Sequence, residues 1–553
     1  MGIKRYIANA DNTITNAFKS DLNTRATGAN AGAADILETF SIYGRQATSS
    51  AELSRILVKF PVTDITTDRT NGTIPASGSV SFYLRLFNAP HSKTVPSGSF
   101  KIVAEPLSKD WQEGFGLDLE TYTDVTNGNT GSNWMSASDT TAWTKTGGDY
   151  ITTANAVYPY RWFSQTLHTG LEDIEIDITH MVELWGADTL ANYGLGVHLS
   201  GNVEAYYKRS VDGTYEGWNE NTTGSTNSYY TKRFFARGTQ YFFKKPVIEA
   251  RWDSSKKDDR GDIYYSSSLA GVNDNLNTLF LYNYVRGQLS NIPSIGTDAI
   301  YVSFYSGSAD NSVPTGSLQT SSYTPNPPGG HSRAAIKLPT TLPRQWVLDD
   351  DGTVSTNPYV VTGAWVSKGI YSASFAITGA TNSLTKIFDV WHDGSGKNKP
   401  WASVEFATSS FNPLNMSASV AVSSPSYVLS ITNLRNKYRS TETARFNVFI
   451  RDRYWSPTIY TKANEAIEST AISSASFKVH RVLDAYEAIP YGTGSSAHTV
   501  LSYDISGNYF DFDMKLLEPG YEYALKLAFY DNGLNSWTEQ PNSFKFRVED
   551  YEY

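Results

Sequence analysis

One pattern recurs from end to end of the chain: short runs that alternate apolar and polar residues, each closed by Gly, Pro, Asn or Asp. In SRILVKF, Ile56, Val58 and Phe60 fall on one side and Arg55, Leu57 and Lys59 on the other. SVSFYLRLFNA repeats the pattern with Val80, Phe82, Leu84 and Leu86 inward, and ILETFSIYG, FKIVAEPL, NYGLGVHL and IYVSFYSG continue it. Successive side chains of a strand point to opposite faces, so a period of two describes half-buried strands and not amphipathic helices. The exception is IEIDITHMVELW, Ile174 to Trp185, which reads as a strand running into a short helix capped at Thr179, with Val182 and Trp185 on one side. With 36 Tyr, 26 Phe, 13 Trp and 41 Gly among its residues, the chain has the rings that cover pleated surfaces and the glycines that make turns. The expected fold class is all-β.

A chain of 553 residues exceeds what one hydrophobic core serves. The spacing of the runs divides it into a β-sandwich over 1–270, an Ig-like sandwich over 271–418 and an Ig- or fibronectin-like sandwich over 419–553. In LLEPGYEYALKL, a Pro-Gly turn followed by Tyr523 has the form of a tyrosine corner, in which the ring hydroxyl pins the turn to nearby backbone. No fixed-period repeat is present, which argues against a β-helix.

Charge and motifs narrow the function. A net charge of -9 argues against nucleic acid as a partner, since phosphate binding needs a positive face. Without cysteine there is no disulfide, thiolate metal site or thiol nucleophile, in keeping with folding in a reducing cytoplasm. No stretch approaches the roughly 18 apolar residues of a membrane span, the N-terminus lacks an apolar export segment, and Tyr6 stands where a myristoylation signal carries Ser or Thr. The eight histidines are dispersed without HExxH, and no nucleophile elbow, phosphate loop or dinucleotide fingerprint occurs. Glycoside hydrolysis needs only two carboxylates, and Glu113 beside Trp111, with Asp118 and Glu120 near it, offers a pair. The preferred reading is that Trp111 fills a sandwich edge while the acids solvate a loop. LDDDGT, from Leu348, lacks the alternation and distal Glu of a calcium loop and reads as an Asx turn, and the RGD of Arg260 to Asp262 reads as linker. No catalytic residue, metal or cofactor is expected.

The densest stretch is YYTKRFFARGTQYFFKKPVIEARWD, Tyr229 to Asp253. Rings beside Lys and Arg suit stacking on bases, but alternation gives another account: Phe234, Tyr241 and Phe243 pack on one face while Lys232, Arg233 and Lys244 snorkel from the other. The stretch then closes the N-terminal domain, and Lys232, Arg233, Arg237, Lys244 and Lys245 are candidate contacts for an acidic neighbour. Between 121 and 161 lies a long polar region that is either a functional surface or an insertion packed through its own rings. Its Trp134 and Trp143, if exposed, serve a glycan or a protein interface, and the interface is preferred.

Two resemblances follow from whole segments. ADILETF, SRILVKFPVTDI, SFYLRLF, DWQEG, IDIT and NYGLGV, in that order, make residues 1 to about 265 similar to carbohydrate-binding-module domains of the DNRLRE type, which implies a jelly-roll sandwich. The chain departs from that pattern in the Trp and Pro spacing around DWQEG and in the inserted segment 121–161. More widely, IKRYIANADNTITNAF, SFYLRLFNAPHS, TKRFFARGTQYFFKKPVIEARWD and LEPGYEYALKLAFYDNG resemble virion structural proteins of contractile-tailed phages that infect cyanobacteria. That resemblance implies a non-enzymatic component of the neck, tail, baseplate or fibre apparatus, made in the host cytoplasm. Its partners would be other virion proteins and copies of itself, without nucleic acid or membrane insertion. The alternative is an adhesin whose N-terminal domain binds host surface polysaccharide.

Overall fold

The computed structural model describes residues 2–19, 21–44, 50–90, 99–117, 131–152, 162–208, 220–267, 271, 274–306, 347–348, 354–355, 360–377, 386–393, 404–414, 426–455, 469–492, 494–531 and 534–550. The Asx turn expected from Leu348 onward and the acids Asp118 and Glu120 lie wholly or mostly outside them. The fold is all-β and multidomain, a jelly-roll-like sandwich followed by two Ig-like sandwiches. It forms two compact units, residues 2–253 with 493–498, and residues 254–492 with 499–553, so the division falls after Asp253. Among the described residues no helix is long and apolar enough to cross a membrane.

Among the described residues the first unit contains eleven strands: β1 (Gly2–Ile7), β2 (Ala10–Thr15), β3 (Ile36–Gly44), β4 (Ser50–Lys59), β5 (Ser81–Leu86), β6 (Phe100–Pro106), β7 (Phe163–Leu167), β8 (Ile174–Asp177), β9 (Leu195–Leu199), β10 (Tyr229–Phe235) and β11 (Val247–Trp252). They make a four-stranded sheet, β1-β11-β5-β8, and a seven-stranded sheet, β10-β3-β4-β9-β6-β7, in which β2 also pairs with β4. Every pairing among these strands is antiparallel. Between the sheets Ile56, Val58 and Phe60 meet Phe82, Leu84 and Leu86, all wholly buried, as alternation requires.

Two short helices close this core, and only one is visible in the sequence. α2 (Thr179–Gly186) buries Met181, Val182 and Trp185. Its cap is not Thr179, because the helix begins there without a side-chain cap and the Thr179 hydroxyl instead accepts the Phe82 N–H at 2.8 Å. α1 (Val62–Thr70) falls where the sequence offers no helical signal. Its β-branched residues are poor helix formers, and Thr66, Thr67 and Thr70 donate their hydroxyls to carbonyls one turn back.

The second unit begins with an antiparallel sheet that runs, in spatial order, through residues 277–282, 370–375, 361–367, 300–306, 387–392 and 405–411. It curls around a core in which the rings of Phe304 and Phe375 lie 4.2 Å apart. The last sandwich stacks a four-stranded sheet on a larger one, with Phe477 and Phe510 stacked at 4.1 Å across the interior. Tyr523 is buried and donates its hydroxyl to the Glu518 carbonyl at 2.9 Å, which makes the expected tyrosine corner. The segment read as a polar linker is instead a tie: Lys256 and Asp258 bond to the backbone around Tyr503, and Arg260 grips Asp389 at 2.6 and 3.0 Å. Asp389 is wholly buried and also accepts from the Trp391 indole at 2.9 Å.

Deleting one partner of a buried ion pair strands the other charge in a medium that solvates it poorly. Arg260→Ala should therefore lower the unfolding free energy of this unit by about 3–5 kcal/mol in urea titrations, and a loss below about 1 kcal/mol would show the pair to be dispensable.

Candidate functional site

The stretch from Tyr229 to Asp253 is two strands joined by a turn, and its basic residues divide among three environments. Arg233 points outward, 45% exposed, and pairs with Glu38 at 3.2 Å. Lys232 does not snorkel. It lies two positions from Phe234, so the pleat places both on the inner face, where Lys232 is 2% exposed. Its ammonium donates to Asn88 at 2.5 Å and to the Gly170 carbonyl at 3.0 Å, and burial, against the pull of Asp173 and Glu172, lowers its pKa to about 8. It is a structural cation and not an interface contact.

Past β10 the chain leaves strand geometry, so Tyr241 and Phe243 do not continue its alternation. Residues Phe242–Lys244 form one 3-10 turn. Tyr241 and Phe242 are 48% and 59% exposed, each edge-on to a neighbouring ring, Phe235 and Phe243, at 5.5 Å. Lys244 lies over Phe87 and Lys245 over Phe242, at 5.4 and 5.8 Å from the ring centroids. The base of the turn is latched by polar groups. Arg237 pairs with Glu113 at 2.6 and 3.1 Å, its backbone N–H donates to Asp11 at 2.5 Å, and the Asp11 N–H donates to Glu113 at 2.9 Å. Glu113 is thus one half of a latch, and its loop carries Phe115 and Leu117, 79% and 72% exposed. Two loops joined by one ion pair therefore present four exposed apolar side chains.

Trp134 and Trp143 are 2% and 5% exposed, so neither offers a ring face. With Trp111 and Ala137 they pack on Ile14, Leu57 and Leu107, forming a second core on the outer face of the seven-stranded sheet. The insertion packs through its own rings. Leu57, expected on a solvated face, is wholly buried by it.

Beside this cover the outer face stays open as a cleft of about 790 Å³. Its floor is made by charged and aromatic groups from β4, β6 and β9, which adjoin in the sheet. Arg55 forks onto Glu204 at 3.0 and 2.8 Å. His198, from β9, sets Nδ1 against the Leu199 carbonyl at 2.7 Å and Glu204 at 3.6 Å, and Nε2 against Glu105 at 3.3 Å. Burial works against the Glu204 carboxylate, but Arg55 and His198 outweigh it and hold its pKa below the ordinary value. The Tyr150 ring lies against β9 at Gly196, where a Cβ would stand 2.0 Å from the ring, and it meets His198 at 5.2 Å. Trp162, 46% exposed, stands at the rim with Lys101 and Lys145. None of these was singled out from sequence. The one local signal was Gly196, an isolated glycine within a strand pattern, which marks a close approach.

Among the described residues no group of three or more His, Asp or Glu side chains is placed to hold a metal ion. No family profile and no curated protein matches the chain. Among solved structures, the fibronectin(III)-like modules of Clostridium thermocellum CbhA are similar to it at 11% identity over 54% of this chain and 95% of theirs, with a TM-score of 0.14. So low a score carries no argument about this chain.

Asp11 gives the latch a pH dependence. Burial raises its pKa from the ordinary 3.8 to about 7, with Glu113 adding to the rise and the Arg237 N–H opposing it. The folded chain holds that proton more tightly than the unfolded one, so stability falls as pH rises between these values. Asp11→Asn keeps an acceptor for Arg237 and removes the titration. The melting temperature of the variant relative to wild type should therefore shift in its favour between pH 5 and about pH 7.5, and parallel profiles would remove Asp11 as the cause.

Proposed function

We propose that the chain is a non-enzymatic structural protein of a contractile-tailed phage virion, part of the neck, tail, baseplate or fibre apparatus, working by protein–protein assembly. One observation carries the assembly reading: the latched loops that hold Tyr241, Phe242, Phe115 and Leu117 out to solvent beside Lys244 and Lys245. Aromatic rings with cations at their margin make up the energetic centre of protein contacts, where water is excluded. Here the rings are fixed before contact, because the Arg237–Glu113 pair and the Asp11 carboxylate hold the backbone that bears them. Little ordering entropy then opposes docking. Four side chains cover less than the roughly 800 Å² per partner of a standard interface, so they are the anchor of a wider contact.

The virion assignment draws on the segments that resemble phage structural proteins, and with it come the expected partners, other virion proteins and copies of the same chain. A binding role also agrees with the charge state of the cleft. Glu204 is held below its ordinary pKa by Arg55 and His198, as a carboxylate fixed in an ion pair should be.

The protein should be present in purified virions, and its absence from them would end the proposal. Within particles, Lys244→Glu with Lys245→Glu should reduce incorporation about tenfold or more while leaving the melting temperature of the isolated protein within about 2 °C of wild type, since single surface substitutions change stability little. Tyr241→Ala with Phe242→Ala should do the same. Normal incorporation of both double variants would remove the latched loops from the interface.

A further inference from the structure

We infer that Lys232 and Asn88 are the two halves of an intramolecular isopeptide cross-link, a covalent tie between the two sheets of the first unit that forms without an enzyme. Asn88 lies just past β5 of the four-stranded sheet, and Lys232 lies on β10 at the margin of the seven-stranded one. The Lys232 Nζ stands 2.5 Å from the Asn88 Oδ1. A carbonyl bond is about 1.23 Å long, so the Asn88 Cγ is less than about 3.8 Å from that nitrogen. That is close to the separation from which an aligned nucleophile attacks.

The reaction exchanges one amide nitrogen for another. The neutral Lys232 amine attacks the Asn88 Cγ, the Nζ–Cγ bond forms, and the bond from Cγ to Nδ2 breaks. One proton passes from Nζ to Nδ2, which leaves as ammonia, so the step needs neither an oxidant nor a reductant. The neutral amine is within reach, because burial, opposed by Asp173 and Glu172, lowers the Lys232 pKa to about 8. The Gly170 carbonyl accepts one N–H at 3.0 Å, which leaves the amine lone pair for Cγ. Lys232 is 2% exposed, so little water competes for the carbonyl carbon.

Backbone contacts hold both partners in place. Asn88 and Phe234 face each other in an antiparallel bridge, flanked by the Ala89 N–H on the Arg233 carbonyl and the Phe235 N–H on the Phe87 carbonyl, each at 3.0 Å. The Asn88 N–H itself donates to Asp173 at 2.7 Å. On the far side β10 pairs with β3, where Lys232 faces Thr39. Side chains fixed in this way stay in contact, so even a slow reaction has the lifetime of the fold in which to finish. The tie spans 144 residues of sequence. In a chain without cysteine it constrains the unfolded state as a disulfide does elsewhere. The buried ammonium described above is the pair before reaction.

Intact-mass measurement of the purified full chain, denatured after prolonged incubation in the folded state, tests this. Most chains should be lighter than the sequence mass by one ammonia. Proteolysis and tandem mass spectrometry should then yield one branched peptide that joins Lys232 to Asn88. Asn88→Ala and Lys232→Arg should each lack that peptide, and both should migrate more slowly than wild type on a denaturing gel, where a chain closed on itself is more compact. Asn71, which precedes Gly72, can also lose ammonia by closing on its own backbone, so the position of the loss is part of the result. The inference is overturned if the wild-type chain keeps its full mass, or if it loses ammonia without forming the branched peptide. Both of these readings come from wild type, so they decide even where a variant fails to fold.

Discussion

Ile56 and Leu57 are adjacent, point to opposite sides of one strand, and are both wholly buried. A strand cannot achieve this with one partner sheet, because successive side chains leave on opposite faces. The seven-stranded sheet therefore needs two covers. The four-stranded sheet supplies one, and the Trp111, Trp134 and Trp143 rings supply the other. The second cover spans only part of the outer face, and the cleft lies where it stops. At that boundary Arg55 runs between the Trp134 and Tyr150 rings, its guanidinium 5.5 Å from each centroid, and forks onto Glu204. The same strand that seals the domain thus presents the charged floor of the cleft.

With no cysteine available, buried ion pairs do much of the positioning. On the four-stranded sheet Glu249 is held by Arg5 and Arg251, each at 2.7 Å, and Glu175 by Arg85 and Arg251 at 2.7 and 2.8 Å. Burial alone would raise the Glu249 pKa, but three guanidinium groups hold it well below the ordinary value. Such networks contribute modest net stability because desolvation offsets their attraction, but they penalise any arrangement that separates the partners. In a chain of many similar strands, that penalty favours one register over its neighbours.

The strand pattern was legible where one face is apolar and the other polar. ILETFSIYG is a strand with the expected ends, and Val80, Phe82, Leu84 and Leu86 turn inward as read. It failed where tertiary context reversed a local preference. Lys232 looked like a surface cation because Lys seldom lies inside, yet Asn88 and Gly170 give it acceptors. The segment Val62–Thr70 carries no helical signal because Thr and other β-branched residues fill most of it, yet packing of Val62 and Ile65 holds it helical. Trp134 and Trp143 were candidates only if exposed, and an insertion gives no sign in sequence of which face it lies on. The cleft was the least legible of all, since Arg55, Glu105, His198 and Glu204 meet only through strand order.

The turn that displays Tyr241 and Phe242 is held at its base by an ion pair and a buried carboxylate rather than by apolar packing of its own rings. Dissolved ions screen such a pair, and protons neutralise such a carboxylate. The Arg237–Glu113 pair and the Asp11 carboxylate thus tie the backbone of this surface to salt and pH, and any contact made through it would inherit both dependences.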